Sequence, residues 1–326
     1  MAYQGPGPGP GDGSGLTRTP RAGKERPARL PQIKRNYDLY LLLVPGLVFL
    51  LLFKYAPIYG LVIAFQDFNI FAGIGGSEWV GLAQFERLFQ SPDFARVLTN
   101  TIVISLYKVV ILFPIPIAIA LLLNEVRLMW FKRSIQTIIY LPHFLSWVVI
   151  AGLFVNVLSP SGGIVNQVIV ALGGEPIHFL MDNSVFRWVV IATDGWKEAG
   201  WNAIIFIAAI AGLDPELYEA ARLDGASRLQ QMLLITLPGI ASTIILMLIL
   251  RVGNVLEAGT QQILLLYNPT VYETGDVIGT FIYRMGLSSM EYSFSTAVGL
   301  FESLVGFALV IGGNAAAKRA TGKSIW

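Results

Sequence analysis

Six runs of mostly apolar residues, at roughly 38–64, 98–123, 134–158, 185–211, 239–259 and 292–314, each approach or exceed the ~20 residues that a helix needs to cross a bilayer. Little else fits a chain of this kind. The hydrocarbon core offers no partner to backbone N–H and C=O groups, and a helix satisfies them within its own segment. The expected fold is therefore an all-α membrane protein with six transmembrane helices. Composition agrees, with 54% hydrophobic and 13% charged residues, against about 25% charged in soluble proteins. The chain has no cysteine, which excludes a disulfide framework, thiolate catalysis and cysteine metal sites.

The net charge is only +2, so the placement of charge carries more information than its total. An even number of spans puts both termini on one side. That side collects the basic residues: Arg127, Lys132 and Arg133 after the second run, Arg222 and Arg228 after the fourth, and Lys318, Arg319 and Lys323 after the sixth. The opposite loops hold few, chiefly Arg87, Arg96 and Arg284. By the positive-inside rule the N-terminus, the C-terminus and the loop after residue 211 are cytoplasmic.

Residues 1–36 form a separate region, GPGPGPGDGSG followed by a basic stretch that includes Arg18, Arg21, Lys24, Arg26, Arg29, Lys34 and Arg35. It has too little apolar surface to offset its ordering entropy and is expected to be a disordered cytoplasmic tail whose charges fix topology. Residues 37–326 form the membrane domain. Within it, Lys54 and Pro57 interrupt the first run, and Pro114, Pro116 and Pro142 predict kinks. The loop from Gln66 to Val97 carries Trp79, Phe85, Phe89 and Phe94, a pattern that predicts an interfacial helix with an aromatic belt.

The polar loop 214–238 is the part of the chain least like a membrane span. Asp214-Pro215-Glu216 reads as a helix start, with an N-cap, a proline at the first helical position and an acidic residue favoured by the helix dipole. Gly225 supplies a turn, because glycine tolerates positive φ. Leu229, Met232, Leu233 and Thr236 then recur at helical spacing up to Pro238, which is expected to stop the second helix.

Glu219-Ala220-Ala221, separated by three residues from Gly225, with Ile235 and Leu237-Pro238 further on, resembles the EAA loop of permease subunits in binding-protein-dependent ABC importers. Asp224-Gly225-Ala226 matches the fuller form of that motif, and Met232 stands where many members have Phe. The likeness extends to GLAQFERLFQSPDFARVLTN at residues 81–100, to YLPHFLSWVVIAGLF from Tyr140, and to GWNAIIFIAAIAGLDPELYEAARLDGAS. Together these stretches are similar to the oligosaccharide branch of that family, with maltose-type and polysaccharide or oligouronide (alginate-type) permeases.

The resemblance implies a fold, a partner set and a role. The loop would form coupling helices that dock on a nucleotide-binding subunit through Glu219, Ala220, Ala221, Asp224, Gly225 and Ala226. The assembly would comprise this chain, a second homologous permease in a heterodimer, two ATPase subunits holding ATP and Mg, and an extracytoplasmic solute-binding protein. Its place would be the bacterial cytoplasmic (inner) membrane, in contact with lipid and not with nucleic acid. Transport would proceed by alternating access.

A charge inside a span costs roughly 2.5–3.5 kcal/mol on insertion scales, so each should face protein or water. In the fourth run Asp194, Lys197, Glu198 and Trp201 share one helical face, with Asn202 beside it. In the fifth, Arg251, Asn254 and Glu257 follow at steps of three. Both faces are candidates for a translocation path in which polar groups meet sugar hydroxyls and Trp rings stack on sugar faces. The competing expectation is that such charges pair internally, Asp194 with Lys197, to hold the bundle.

No catalytic or metal site is expected. His143 and His178 are the two histidines and stand far apart. Gly322-Lys323-Ser324 approaches the end of a phosphate-binding loop, but Ala317 occupies the place of its first glycine, so ATP hydrolysis is expected on another polypeptide. An ion-coupled secondary transporter with Asp194, Glu198 and Glu257 as relay carboxylates is the alternative. An intramembrane enzyme is a third reading. Neither accounts for the 214–238 loop.

Overall fold

The computed structural model describes residues 37–321. The expected tail at residues 1–36 and the Gly322-Lys323-Ser324 segment lie outside the described residues. The described chain divides into two compact units between Ile58 and Tyr59. Most of helix α1 (Tyr37–Phe65) belongs to the first. It is α-helical to Leu50, takes a π turn at Leu51–Tyr55 and then winds as a 3-10 helix over Ala56–Phe65. Lys54 and Pro57 therefore change the winding of the helix without ending it.

The second unit begins with a small antiparallel ribbon, Gln66–Asp67 paired with Glu78–Trp79, in which Gln66 faces Trp79. This ribbon departs from the expected interfacial helix; the helical parts of that loop are a short turn at Gly73–Gly76, α2 (Ala83–Gln90) and the start of the helix that begins at Pro92. Phe65 stacks on Trp79 with centroids 5.8 Å apart and packs at 5.5 Å against Phe85. Two of the aromatic residues assigned to a belt thus hold the ribbon against α2.

The remaining longer helices are α3 (Pro92–Glu125), α4 (Met129–Phe144), α5 (Trp147–Val157), α6 (Ile164–Ala171), α7 (Phe186–Ala211), α8 (Pro215–Leu223), α9 (Arg228–Gly239), α10 (Ala241–Gly253), α11 (Thr260–Leu266), α12 (Ile278–Tyr283) and α13 (Tyr292–Thr321). Among the described residues, three helical stretches are by themselves long and apolar enough to cross a membrane: α1, α3 and Tyr292–Ala316 of α13. Two bent pairs raise the count to five: α4 with α5 at 102° and α9 with α10 at 58°. The fourth apolar run forms α7, whose 26 residues reach about 39 Å at 1.5 Å per residue. Its length suffices, but Asp194, Lys197 and Glu198 interrupt its apolar sequence.

The prolines act as their backbone chemistry requires. Pro114 follows a π turn at Lys108–Leu112 and begins a new α-helical stretch, so α3 continues across it. Pro142 sits in the 3-10 turn Leu141–Phe144 at the 102° bend. Pro238, expected to end α9, lies within it; the chain bends one residue after Gly239, and the missing N–H of Pro238 follows a π turn at Met232–Thr236.

Helix α7 lies at the centre of the second unit. Its Phe206 and Ile210 pack with Ala120 and Leu121 of α3 and with Ile240. Its Phe186 and Val190 pack with Ile104 of α3, Ala151 of α5 and Ile263 of α11. At Gly200, α7 comes so close to α4 that a Cβ would stand 2.1 Å from the Ile139 carbonyl oxygen. Only glycine permits that approach.

The segment 260–291, between the fifth and sixth apolar runs, is part of the core. Val271, Val277 and Ile278 are fully buried, as is Asp276. The Asp276 carboxylate accepts from Thr280 and pairs with Arg284. Its backbone carbonyl accepts from Asn100 Nδ2 at 3.1 Å, and Arg187 donates to Asn100 Oδ1 at 2.8 Å. The polar residues of this segment are thus spent on internal hydrogen bonds.

Candidate functional site

Two places gather the residues singled out by sequence. The first is a cavity of about 370 Å³ enclosed by α3, α7, α10 and the turn after α10. Asp194, Asn202, Arg251, Asn254 and Glu257 all line it. Helix α10 ends at Gly253, so Asn254 caps it and Glu257 falls in a separate 3-10 turn. The three residues reach the cavity even though no continuous helix carries them.

Lys197 and Trp201 stand aside from that lining. Lys197 donates to the carbonyl oxygens of His143 at 2.6 Å and Leu145 at 2.9 Å, two groups released by the bend between α4 and α5. Trp201 stacks flat on the His143 ring, centroids 4.4 Å apart and 2° from parallel. The Nδ1 of His143 lies 2.8 Å from Glu198 Oε2, and Glu198 Oε1 is 3.6 Å from Lys197. The side chains of α7 thereby fasten the bent pair while Glu198 also borders the cavity.

The expected pairing of Asp194 with Lys197 is not formed. Asp194 Oδ2 lies instead 3.5 Å from Lys108 Nζ on α3 and 3.6 Å from Arg251 Nη2 on α10. Neighbours on other helices displace the local partner because the carbonyls of the bend claim Lys197. Lys108, which sequence reading passed over, is buried and donates to Gln262 Oε1 at 2.8 Å. Gln262 in turn donates to the Val190 carbonyl at 2.7 Å. The signal for Lys108 was available: it is a lone cation in the apolar run 98–123, and such residues are costly unless paired.

The second place is the polar loop. Asp214 caps α8 by accepting from the Glu216 N–H at 2.9 Å, with Pro215 at the first helical position. At the other end the Gly225 N–H bonds to Arg222 O at 3.1 Å and the Ala226 N–H to Ala221 O at 2.9 Å. That is a Schellman ending, and it requires the left-handed φ of 77° found at Gly225. Ser227 then caps α9 in a capping box with Gln230, a signature present in the sequence as Ser-x-x-Gln.

This loop is anchored from behind and bare in front. Tyr218 Oη lies 2.9 Å from Thr236 Oγ1, and Arg228 is 3.3 Å from Glu125 at the end of α3. Glu219, Ala220, Asp224 and Gly225 are exposed, and Ala221 and Ala226 are half-buried. Leu223, which sequence reading did not single out, is 89% exposed beside them.

Residues 111–321 match the family described as binding-protein-dependent transport system inner membrane component. The chain belongs to that family. It is 49% identical over 298 residues, 91% of this chain and 92% of the relative, to the polygalacturonan/rhamnogalacturonan transport system permease protein YteP of Bacillus subtilis (strain 168). It is 46% identical over 287 residues, 88% of this chain and 90% of the relative, to protein LplB of the same organism. Among solved structures it is similar to a chain of a bacterial ABC transporter involved in the import of the acidic polysaccharide alginate, at 42% identity and TM-score 0.83 over 90% of this chain and 99% of that one. It matches equally a chain of the bacterial alginate ABC transporter in complex with an alginate pentasaccharide-bound periplasmic protein, at 41% identity and TM-score 0.84, covering 91% and 99%.

The chain is thus the permease subunit of an ABC importer for sugars or oligosaccharides. Permease subunits are not the catalytic part, and ATP hydrolysis falls to partner ATPases. Neither the ion-coupled transporter nor the intramembrane enzyme is favoured by this membership.

Proposed function

We propose that this permease, with a second homologous permease, forms the membrane domain of an importer that carries an acidic oligosaccharide of the oligouronide class into the cytoplasm. Two ATPase subunits holding ATP and Mg, and an extracytoplasmic solute-binding protein, complete the assembly in the bacterial inner membrane. Six spans cross it: α1, α3, α4 with α5, α7, α9 with α10, and α13. Both termini and the α8 loop are cytoplasmic, in keeping with Arg222 and Arg228 there. The acidic class rests on the polygalacturonan/rhamnogalacturonan and alginate substrates of its similar proteins.

The observation that supports the docking role is the shape of the 214–238 loop. A short helix ending at Gly225 presents Glu219, Ala220 and Leu223 outward, while Tyr218 and Arg228 tie its back to the ends of the spans. A partner that grips the front and moves carries the spans with it. ATP-driven closure of the partners would then open the cavity outward, provided that ATP and glycan each bind the two states unequally.

Gly225→Val tests this reading, since valine is strained at positive φ and would reshape the turn. The expected result is loss of ATPase stimulation and of uptake, with the permease still inserted in the membrane. Stimulation and uptake at wild-type level would contradict the docking role.

A further inference from the structure

We infer that Arg251 is the side chain that receives a glycan carboxylate in the cavity, and that Asp194 holds it there when no glycan is present. This assignment rests on the acidic-oligosaccharide reading above. It begins from how the cations near the cavity use their donors. Lys197 is 6% exposed and spends its ammonium on two carbonyls. Lys108 is 4% exposed and is held by Gln262 and Asp194. Both are buried, and each commits two of its three donors to protein partners.

Arg251 differs in each respect. Its side chain is 38% exposed and lines the cavity. Its one charge partner, Asp194, lies 3.6 Å away, beyond hydrogen-bond length. Among the described residues its guanidinium donates no hydrogen bond. Five N–H groups in a planar fork are therefore free, and that fork matches a carboxylate in bidentate geometry. Asp194 is already neutralised by Lys108, so Arg251 can turn toward a second carboxylate without leaving Asp194 as a lone buried charge.

The rest of the lining fits a sugar ring around that anchor. The side-chain amides of Asn202 and Asn254 also make no hydrogen bond among the described residues, and both border the cavity. Trp147 contributes an aromatic surface. Glu257 lies on the same lining, where a carboxylate accepts from sugar hydroxyls. The lining thus combines a cationic fork with amides and carboxylates. Its volume of about 370 Å³ is at the small end for ligand sites, which run to about 1,000 Å³, so a short stretch of glycan occupies it at a time. A neutral sugar would leave the guanidinium unanswered, and such unpaired polar groups are how a site rejects a near relative of its ligand.

The test uses the complete importer, with both permeases, the ATPases and the binding protein, in proteoliposomes. Uptake of trigalacturonate and of its carboxyl-reduced counterpart, galactotriose, is measured per assembled complex in wild type, Arg251→Gln and Arg251→Lys. The expected result for Arg251→Gln is a fall of about tenfold or more in trigalacturonate uptake. Arg251→Lys should be intermediate, because it keeps charge without the fork, and galactotriose uptake should not fall. Trigalacturonate uptake within about twofold of wild type in Arg251→Gln, or an equal fall for both sugars, overturns the assignment of Arg251 alone. Failure of the wild-type importer to take up trigalacturonate overturns the acidic-oligosaccharide reading, and the assignment with it.

Discussion

A lysine buried in a largely apolar helix must donate its ammonium hydrogens to something, and Lys197 donates them to carbonyls left open by the sharp bend between α4 and α5. The charge is structural in this position. Lys197→Met would strip donors from the His143 and Leu145 carbonyls and the cation from Glu198, at a cost of about 1–3 kcal/mol for groups left unsatisfied. The expected outcome is a lower thermal midpoint for the assembled importer, read by scanning fluorimetry, whereas a midpoint unmoved from wild type would show that those carbonyls find other partners. Asp194, Arg251, Asn254 and Glu257 were legible as cavity residues because an isolated polar group in an apolar run has few places to go. Their partners were not. The choice of Lys108 over Lys197 for Asp194 depends on where α3 and α10 pass, which one helix's spacing does not contain.

At the scale of elements, the loop between α7 and α10 was the most legible part of the chain. Its helix start, its glycine turn and its second helix follow from local backbone chemistry, and each is satisfied by contacts within a few residues. Pro238 misled because a π turn before it absorbs the missing N–H, so the bend comes later. The burial of segment 260–291 was not legible for a different reason. Asp276 is fully buried and its partners lie in part on other elements, Asn100 among them. Helix packing leaves its own trace in Gly200, where a Cβ would meet the Ile139 carbonyl. Gly200→Val should push α7 off α4 and cost about 1–3 kcal/mol or more as overpacking. The expected readout is reduced yield of the assembled permease in membranes, with normal yield contradicting so tight a contact.

On the scale of the whole molecule, apolar run length and composition pointed to a membrane bundle. Among the described residues, three helices qualify as spans by themselves, and there are two bent pairs. Helix α7 falls short on composition because it carries the charges that organise the cavity. The same residues that weaken it as a span tie it to α3, α4 and α10. The second unit therefore holds a cavity lined by charged and amide side chains and an exposed loop anchored from behind. In the proposed mechanism, a partner that drives the loop changes which side the cavity faces. The most direct measurement is uptake of trigalacturonate by proteoliposomes that contain the permease pair and the binding protein, with and without the ATPase subunits, while ionophores collapse every ion gradient. The account predicts uptake that requires both the ATPases and ATP and survives the ionophores. Uptake by the permease pair without ATPases, abolished when the gradients collapse, would contradict it.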